Sequence, residues 1–119
     1  MTLMSEHGSI QILASPDFKS QLRKLAKRYR SLRLDLQPLL DELQNGNFLG
    51  DQISGTNYAT FKVRLKNSDI KKGKSAGYRV IYQLRDNTSA LLVTIYSKSD
   101  ESVLTAREIR AIIDAFNQT

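Results

Sequence analysis

The chain has no cysteine and no tryptophan, and its 119 residues include one histidine and two prolines. Without cysteine there can be no disulfide and no thiolate metal site, which is compatible with a reducing compartment. The lone histidine, His7, cannot form a histidine acid–base pair by itself, and in its polar N-terminal stretch an ordinary surface side chain is the plainer reading. Acids are in deficit too, with 12 Asp and Glu against 18 Lys and Arg, a formal charge of +6. No window approaches the roughly 18 apolar residues of a membrane span, and the N-terminal segment carries no apolar run of signal-peptide length. Asp100 and Glu101 stand too isolated for a metal site, since a hard cation wants several convergent carboxylates. The expectation is a cytoplasmic protein without metal, small-molecule cofactor or membrane contact. It should form one domain over residues 1–119, flexible at 1–8, because a chain this short buries one core and not two.

What is present is positive charge, and it is clustered. Lys19, Arg23, Lys24, Lys27, Arg28, Arg30 and Arg33 follow one another with no acid between them. A second group, Lys62, Arg64, Lys66, Lys71, Lys72, Lys74 and Arg79, is interrupted only by Asp69. Clusters of this kind point to a polyanionic partner, either nucleic acid or an acidic protein.

The spacing of apolar residues predicts an α+β fold. A short strand over Ser9–Leu13 precedes Ser15-Pro16, a helix start with serine as N-cap and proline at the first helical position. Phe18, Leu22, Leu25, Ala26 and Tyr29 then recur at helical spacing opposite a basic face. Those helix cations read either as contacts to an RNA backbone or as a solvated face. After a break at Arg30–Leu34, a second helix carries the stripe Leu36, Leu39, Leu40 and Leu43, with Pro38 expected in its first turn and Asn45-Gly46 at its end. Asn47–Asn57 reads as a glycine-bearing connector. Three strands follow, Tyr58–Lys66, Gly77–Arg85 and Ala90–Lys98, the first two joined by a long basic loop, Asn67–Ala76, and the last two by a tight turn at Asp86–Ser89. Thr105 and Glu108 have the spacing of a capping box for a final helix with Ile109, Ile112, Ile113 and Phe116 as its stripe. The predicted order is β-α-α-β-β-β-α, an antiparallel sheet with the N-terminal helical hairpin on one face.

In Tyr58–Lys66, Lys62, Arg64 and Lys66 alternate with Phe61, Val63 and Leu65. Strand side chains point to opposite faces in turn, so the three cations share one face and the three apolar residues face the helices with Tyr78, Val80 and Tyr82. An ordinary solvated sheet face is the plain alternative. Tyr78, Tyr82 and Tyr96 read as base-stacking platforms or, for the first two, as core. Leu91, Leu92 and Val93 are apolar on both faces, which calls for the C-terminal helix or a partner to cover part of the second face.

The run FKVRLKNSDIKKGKSAGYRVIYQL followed by LLVTIYSKSD resembles the toxin subunits of the RelE/ParE superfamily of bacterial type II toxin–antitoxin systems. SLRLDLQPLLDEL, FLGDQISG and the closing helix are similar in kind and order, so the resemblance covers nearly the whole chain. It implies a RelE-like fold and an endoribonuclease that cleaves mRNA in a ribosome-dependent manner, inhibits translation and is held inactive by a cognate acidic antitoxin. Its partners would be that antitoxin, mRNA and ribosomal RNA. The cations that match the RNA-cleaving residues of the RelE type are Lys62, Arg64 and Arg79. Lys66, Lys71, Lys72, Lys74 and Lys98 would bind RNA. The chain departs from that pattern at Ser99, which follows the lysine, and at Leu104 and Thr105, neither of which is a tyrosine. Two other roles stay open: a ParE-like toxin that inhibits DNA gyrase without chemistry, and a catalytically inactive module that only binds its antitoxin.

The residues suit RNA cleavage on chemical grounds as well. RNA carries its own nucleophile, the 2′-hydroxyl, so a protein need only align it, stabilise charge on the phosphate and move protons. The guanidinium forks of Arg64 and Arg79 match phosphate oxygens in two-point contact. Lys62 is the candidate for moving protons.

Overall fold

The computed structural model of the protein describes residues 9–70, 76–100 and 104–118. Among them the chain is α+β, with the order β1 (Gln11–Ala14), α1 (Pro16–Arg28), α2 (Leu32–Gln44), β2 (Asp51–Ile53), β3 (Thr60–Leu65), β4 (Tyr78–Asp86), β5 (Ser89–Ser97), a short 3-10 turn (Lys98–Asp100) and α3 (Ala106–Asn117). The strands form one sheet in the order β1-β5-β4-β3-β2. No described helix is long and apolar enough to cross a membrane.

The expected signals act as their chemistry suggests. Ser15 Oγ accepts from the amide of Phe18 at 2.9 Å and donates to the carbonyl of Val93 at 2.6 Å, so one hydroxyl caps α1 and ties its start to β5. Phe18 and Leu25 are buried from α1, and Leu32, Leu36, Leu39 and Leu43 from α2. With Val63, Leu65, Tyr78, Val80, Tyr82, Leu92 and Ile95 they make the main core. The β4–β5 turn is held by the Asp86 carboxylate, which accepts from the amide and hydroxyl of Thr88 at 2.7 Å each and from the amide of Ser89 at 2.9 Å. These bonds, those from Thr88 above all, hold its carboxyl below the usual carboxylate range. At α3, Thr105 and Glu108 form the reciprocal capping box.

Three expectations need correction. The sheet is mixed and not antiparallel, because β1 pairs parallel with β5, from Gln11 opposite Ser89 to Ala14 opposite Leu92. Strand direction is set by where the helical hairpin returns the chain, which no local pattern encodes. The supposed connector contains a strand, Asp51–Ile53, antiparallel to Thr60–Lys62. Three residues are too few to show a period of two. Finally, α2 begins at Leu32, so Pro38 lies inside the helix and not in its first turn. The acceptor deprived of its partner is the carbonyl of Leu34, whose side chain is 77% exposed, while the buried leucine stripe holds the helix together.

The second face of the sheet carries a smaller core. Ile81, Leu91 and Val93 lie under Ile109 and Ile113 of α3. Tyr58 donates to Asp114, and Arg85 donates to Asn117 at 2.8 Å while stacking over Phe116. Leu91 and Val93 are therefore wholly buried by this chain's own helix, and they offer nothing for a partner to cover. A β-bulge decides which residues share this face. Ile81 pairs with Thr94 but Tyr82 with Leu92, which leaves Val93 as the extra residue and turns Thr94 and Tyr96 to the side already occupied by Leu91 and Val93.

Candidate functional site

Beyond the edge of α3, the second face is polar. Arg64 lies directly across from Arg79, and Arg79 directly across from Tyr96, so one row of three side chains crosses β3, β4 and β5. Lys62 stands two residues along β3 on the same face, opposite Asp51 of β2. Lys98 enters from the turn after β5. Asp51, Lys62, Arg64, Arg79, Tyr96 and Lys98 surround one cavity of about 140 Å³. That is well below the roughly 300–1,000 Å³ of a pocket for a drug-sized molecule, so it suits a small polar group on a larger ligand.

Each wall of this cavity is held from behind. Gly77 approaches β3 so closely that a Cβ there would meet the Leu65 carbonyl oxygen at 2.0 Å, and its own carbonyl accepts from the Lys98 amide at 2.9 Å. The segment leading into β4 is thus pressed against the end of β3 and tied to the turn that carries Lys98. Asp100, two residues on, pairs with Arg28 of α1. Arg79 is only 7% exposed, and its guanidinium donates to the Tyr78 carbonyl at 3.3 Å. Lys62 and Arg64, by contrast, are exposed.

On the hairpin side the strand tyrosines are structural. Tyr78 and Tyr82 are fully buried, Tyr82 stacked on Phe61 at 5.4 Å and Tyr78 edge-on to Tyr29 at 5.8 Å. Burial pushes the Tyr82 phenol up to about 12 and raises that of Tyr78 as well. Neither can stack on a base; Tyr96, half-buried on the cavity wall, can.

Of the residues singled out in the sequence, Lys62, Arg64, Arg79 and Lys98 are brought together. Lys66 is exposed and lines a different, mainly apolar groove of about 380 Å³ between α2 and the edge of β3, with Pro38, Leu39 and Leu49. Lys71, Lys72 and Lys74 lie outside the described residues, as do His7, Glu101 and the whole of 1–8. No group of three or more potential metal ligands occurs among the described residues. Sequence reasoning missed Asp51, because it belongs to the strand mistaken for a connector. The one local hint was a pair of glycines, Gly50 and Gly55, bracketing it.

No protein-family model and no curated protein matches the chain. What the site does is therefore read from its geometry.

Proposed function

We propose that the protein is a RelE-like, metal-independent endoribonuclease that cuts mRNA on the ribosome and so inhibits translation. The observation that supports this reading is the convergence of Lys62, Arg64, Arg79, Tyr96 and Lys98 on one small cavity of the open sheet face. A phosphate would lie between the facing guanidiniums of Arg64 and Arg79, whose forks contact its oxygens and offset the charge that builds up as the phosphorus becomes five-coordinate. In the step itself the 2′-oxygen attacks the adjacent phosphorus and gives up its proton to the Lys62 amine. The bond from phosphorus to the 5′-oxygen breaks, and that oxygen takes a proton from the Lys98 ammonium. The products are a 2′,3′-cyclic phosphate and a free 5′-hydroxyl, and no water, metal or redox partner is consumed. Tyr96 offers its ring to a neighbouring base. On the ribosome part of the alignment would come from ribosomal RNA, a role to which the exposed cations of α1 lend themselves by contacting its backbone.

The same cationic face is the natural target of a cognate acidic antitoxin, which would silence the enzyme by neutralising it. Expression of the free chain in bacteria should stop growth through translation, with new mRNA 5′ ends inside coding regions. Co-expression with an adjacent small acidic protein should restore growth and co-purify the pair at modest salt. If pulse labelling showed DNA synthesis failing first while mRNA stayed intact, the ParE-like reading would replace this one.

A further inference from the structure

Asp51 is the one carboxylate among the described residues that line the cavity, and it is out of place in a site for phosphate alone. An acid beside Lys62 opposes the binding of any anion, so a surface selected only to hold a backbone would do better without it. Yet the chain positions it with care. Gly50, immediately before it, has φ +101°, a conformation that side chains rarely adopt, and a Cβ there would meet the Lys62 carbonyl oxygen at 2.5 Å. The hydroxyl of buried Tyr82 donates to the Leu49 carbonyl at 2.5 Å, anchoring the chain two residues before Asp51 from beneath the sheet. Asp51 then pairs directly with Lys62, and partners across a ladder point to the same face, so its carboxylate joins the cationic side. Tyr96 lies at the opposite wall, beyond Arg79.

We infer that Asp51 reads a base, and that the base is guanine. Its carboxylate lies one strand outside Lys62 and Arg64, about 5 Å further across the sheet, on the side where a nucleotide next to the gripped phosphate would place its base. In single-stranded RNA the Watson–Crick edge is free to be read. Guanine alone presents two adjacent donors there, N1–H and the N2 amino group, a fork that a carboxylate accepts with both oxygens. On adenine and cytosine the amino group is flanked by a ring-nitrogen acceptor, and on uracil the single N3–H lies between two carbonyl oxygens. Each of these would turn a lone pair toward one carboxylate oxygen. Asp51 thus selects a guanosine on one side of the phosphate, while Tyr96 takes the base on the other side by stacking, without regard to its identity.

This inference rests on the phosphate-binding reading of the cavity, and binding of nucleoside 3′-monophosphates separates the two. The purified full chain should bind guanosine 3′-monophosphate about tenfold or more tightly than its adenosine, cytidine and uridine counterparts, the discrimination expected of a two-point contact. Asp51→Asn should bring all four within a few fold of one another, and four RNAs that differ only in the base beside the cleaved bond should show the same levelling of rates. Equal binding of the four by the unaltered protein, or a guanosine preference that survives Asp51→Asn, overturns the assignment. So does uniform tightening of all four in the variant, which would make Asp51 a mere electrostatic brake. If guanosine is preferred and Asp51→Asn abolishes that preference but no RNA is cut, free or on ribosomes, the base-reading role stands and the nuclease reading falls. If none of the four binds, both fall.

Discussion

The sheet face away from the helical hairpin has two ends, built from the same strands yet opposite in character. On β4, Ile81 lies under α3 and Arg79, two residues earlier, faces the cavity; on β5, Val93 is wholly buried and Tyr96 lines the cavity. The covered end is what a stable fold asks for, with apolar side chains closed over by an amphipathic helix. The other end gathers like charge. Two arginines stand directly opposite each other, an arrangement that destabilises a sheet unless something negative comes between them, and one of them is nearly buried. The helix α3 stops where the cationic cavity begins. On the proposed function, the charged end is there for the RNA phosphate it would bind.

The largest break in that comparison should come from Arg79. If the protein cuts RNA as proposed, Arg79→Ala deletes a charge-stabilising donor worth about 3–4 kcal/mol, so RNA cleavage should fall by roughly two to three decades and growth arrest disappear. Arg79 is only 7% exposed and bonded to the Tyr78 carbonyl, so truncation to alanine also disturbs the packing around it. Arg79→Lys is therefore the companion variant, keeping the charge and most of the volume while losing the fork; it too should cleave poorly, with an unchanged circular dichroism spectrum. A folded, fully toxic Arg79→Ala protein would remove Arg79 from the chemistry.

At the covered end the expected loss is of stability alone. Ile113→Ala should lower the free energy of unfolding by about 2–5 kcal/mol in urea titrations, because Ile113 is fully buried against β4 and β5. Protein that remains folded should cleave at the normal rate. A cleavage defect out of proportion to the unfolded fraction would mean that the two ends are coupled.

Alkali should act on the fold from the hairpin side and from α3. Tyr82, Tyr78 and Tyr58 all hold their protons more tightly folded than a free phenol does, Tyr82 and Tyr78 because of burial and Tyr58 chiefly through its bond to Asp114. Each such contribution is complete below the ordinary phenol value of about 10 and is lost as pH climbs through the raised folded value, about 12 for Tyr82. Stability measured by thermal melts should accordingly decline above about pH 10. Tyr82→Phe should make that decline shallower while costing about 1 kcal/mol near neutrality, for the lost bond to Leu49.

The smallest effect would sharpen the comparison most. Arg64→Thr puts a residue suited to strands where two like charges now face each other, and should raise stability by roughly 0.2–1 kcal/mol in the same urea titrations while cleavage is lost. A variant more stable and less active would identify the charged end as a place where stability yields to function. Lower stability would mean that the facing arginines are already compensated within the fold.

Much of this was legible along the chain. Ser15-Pro16, the Leu36–Leu43 stripe and the Thr105 capping box announced their helices, because caps and stripes are local chemistry. Alternation in β3 separated Val63 and Leu65 from Lys62 and Arg64, and the pairing register then set Arg64 against Arg79. Asp51 was invisible for a physical reason: its strand is defined by hydrogen bonds to Thr60–Lys62 across the intervening loop and by the close approach of Gly50, and not by any pattern within its own three residues. Proline misled in the same way, since the penalty at Pro38 is local while the burial of four leucines that outweighs it is tertiary.

Which side chains each element presents follows from the chain alone: a basic helix, an apolar helix and a strand with cations on one face. Those follow from the periods of helix and strand, which every residue obeys whatever surrounds it. The tertiary structure alone decided which of them meet. Strict alternation along β5 would have turned Tyr96 to the same side as Leu92, into the hairpin core. The bulge between Ile81 and Tyr82 lets β5 carry one residue more than β4, so Leu91 and Val93 serve α3 while Tyr96 joins Arg79. A bulge arises from the mismatch between two paired strands, a property of the pair that neither strand carries alone.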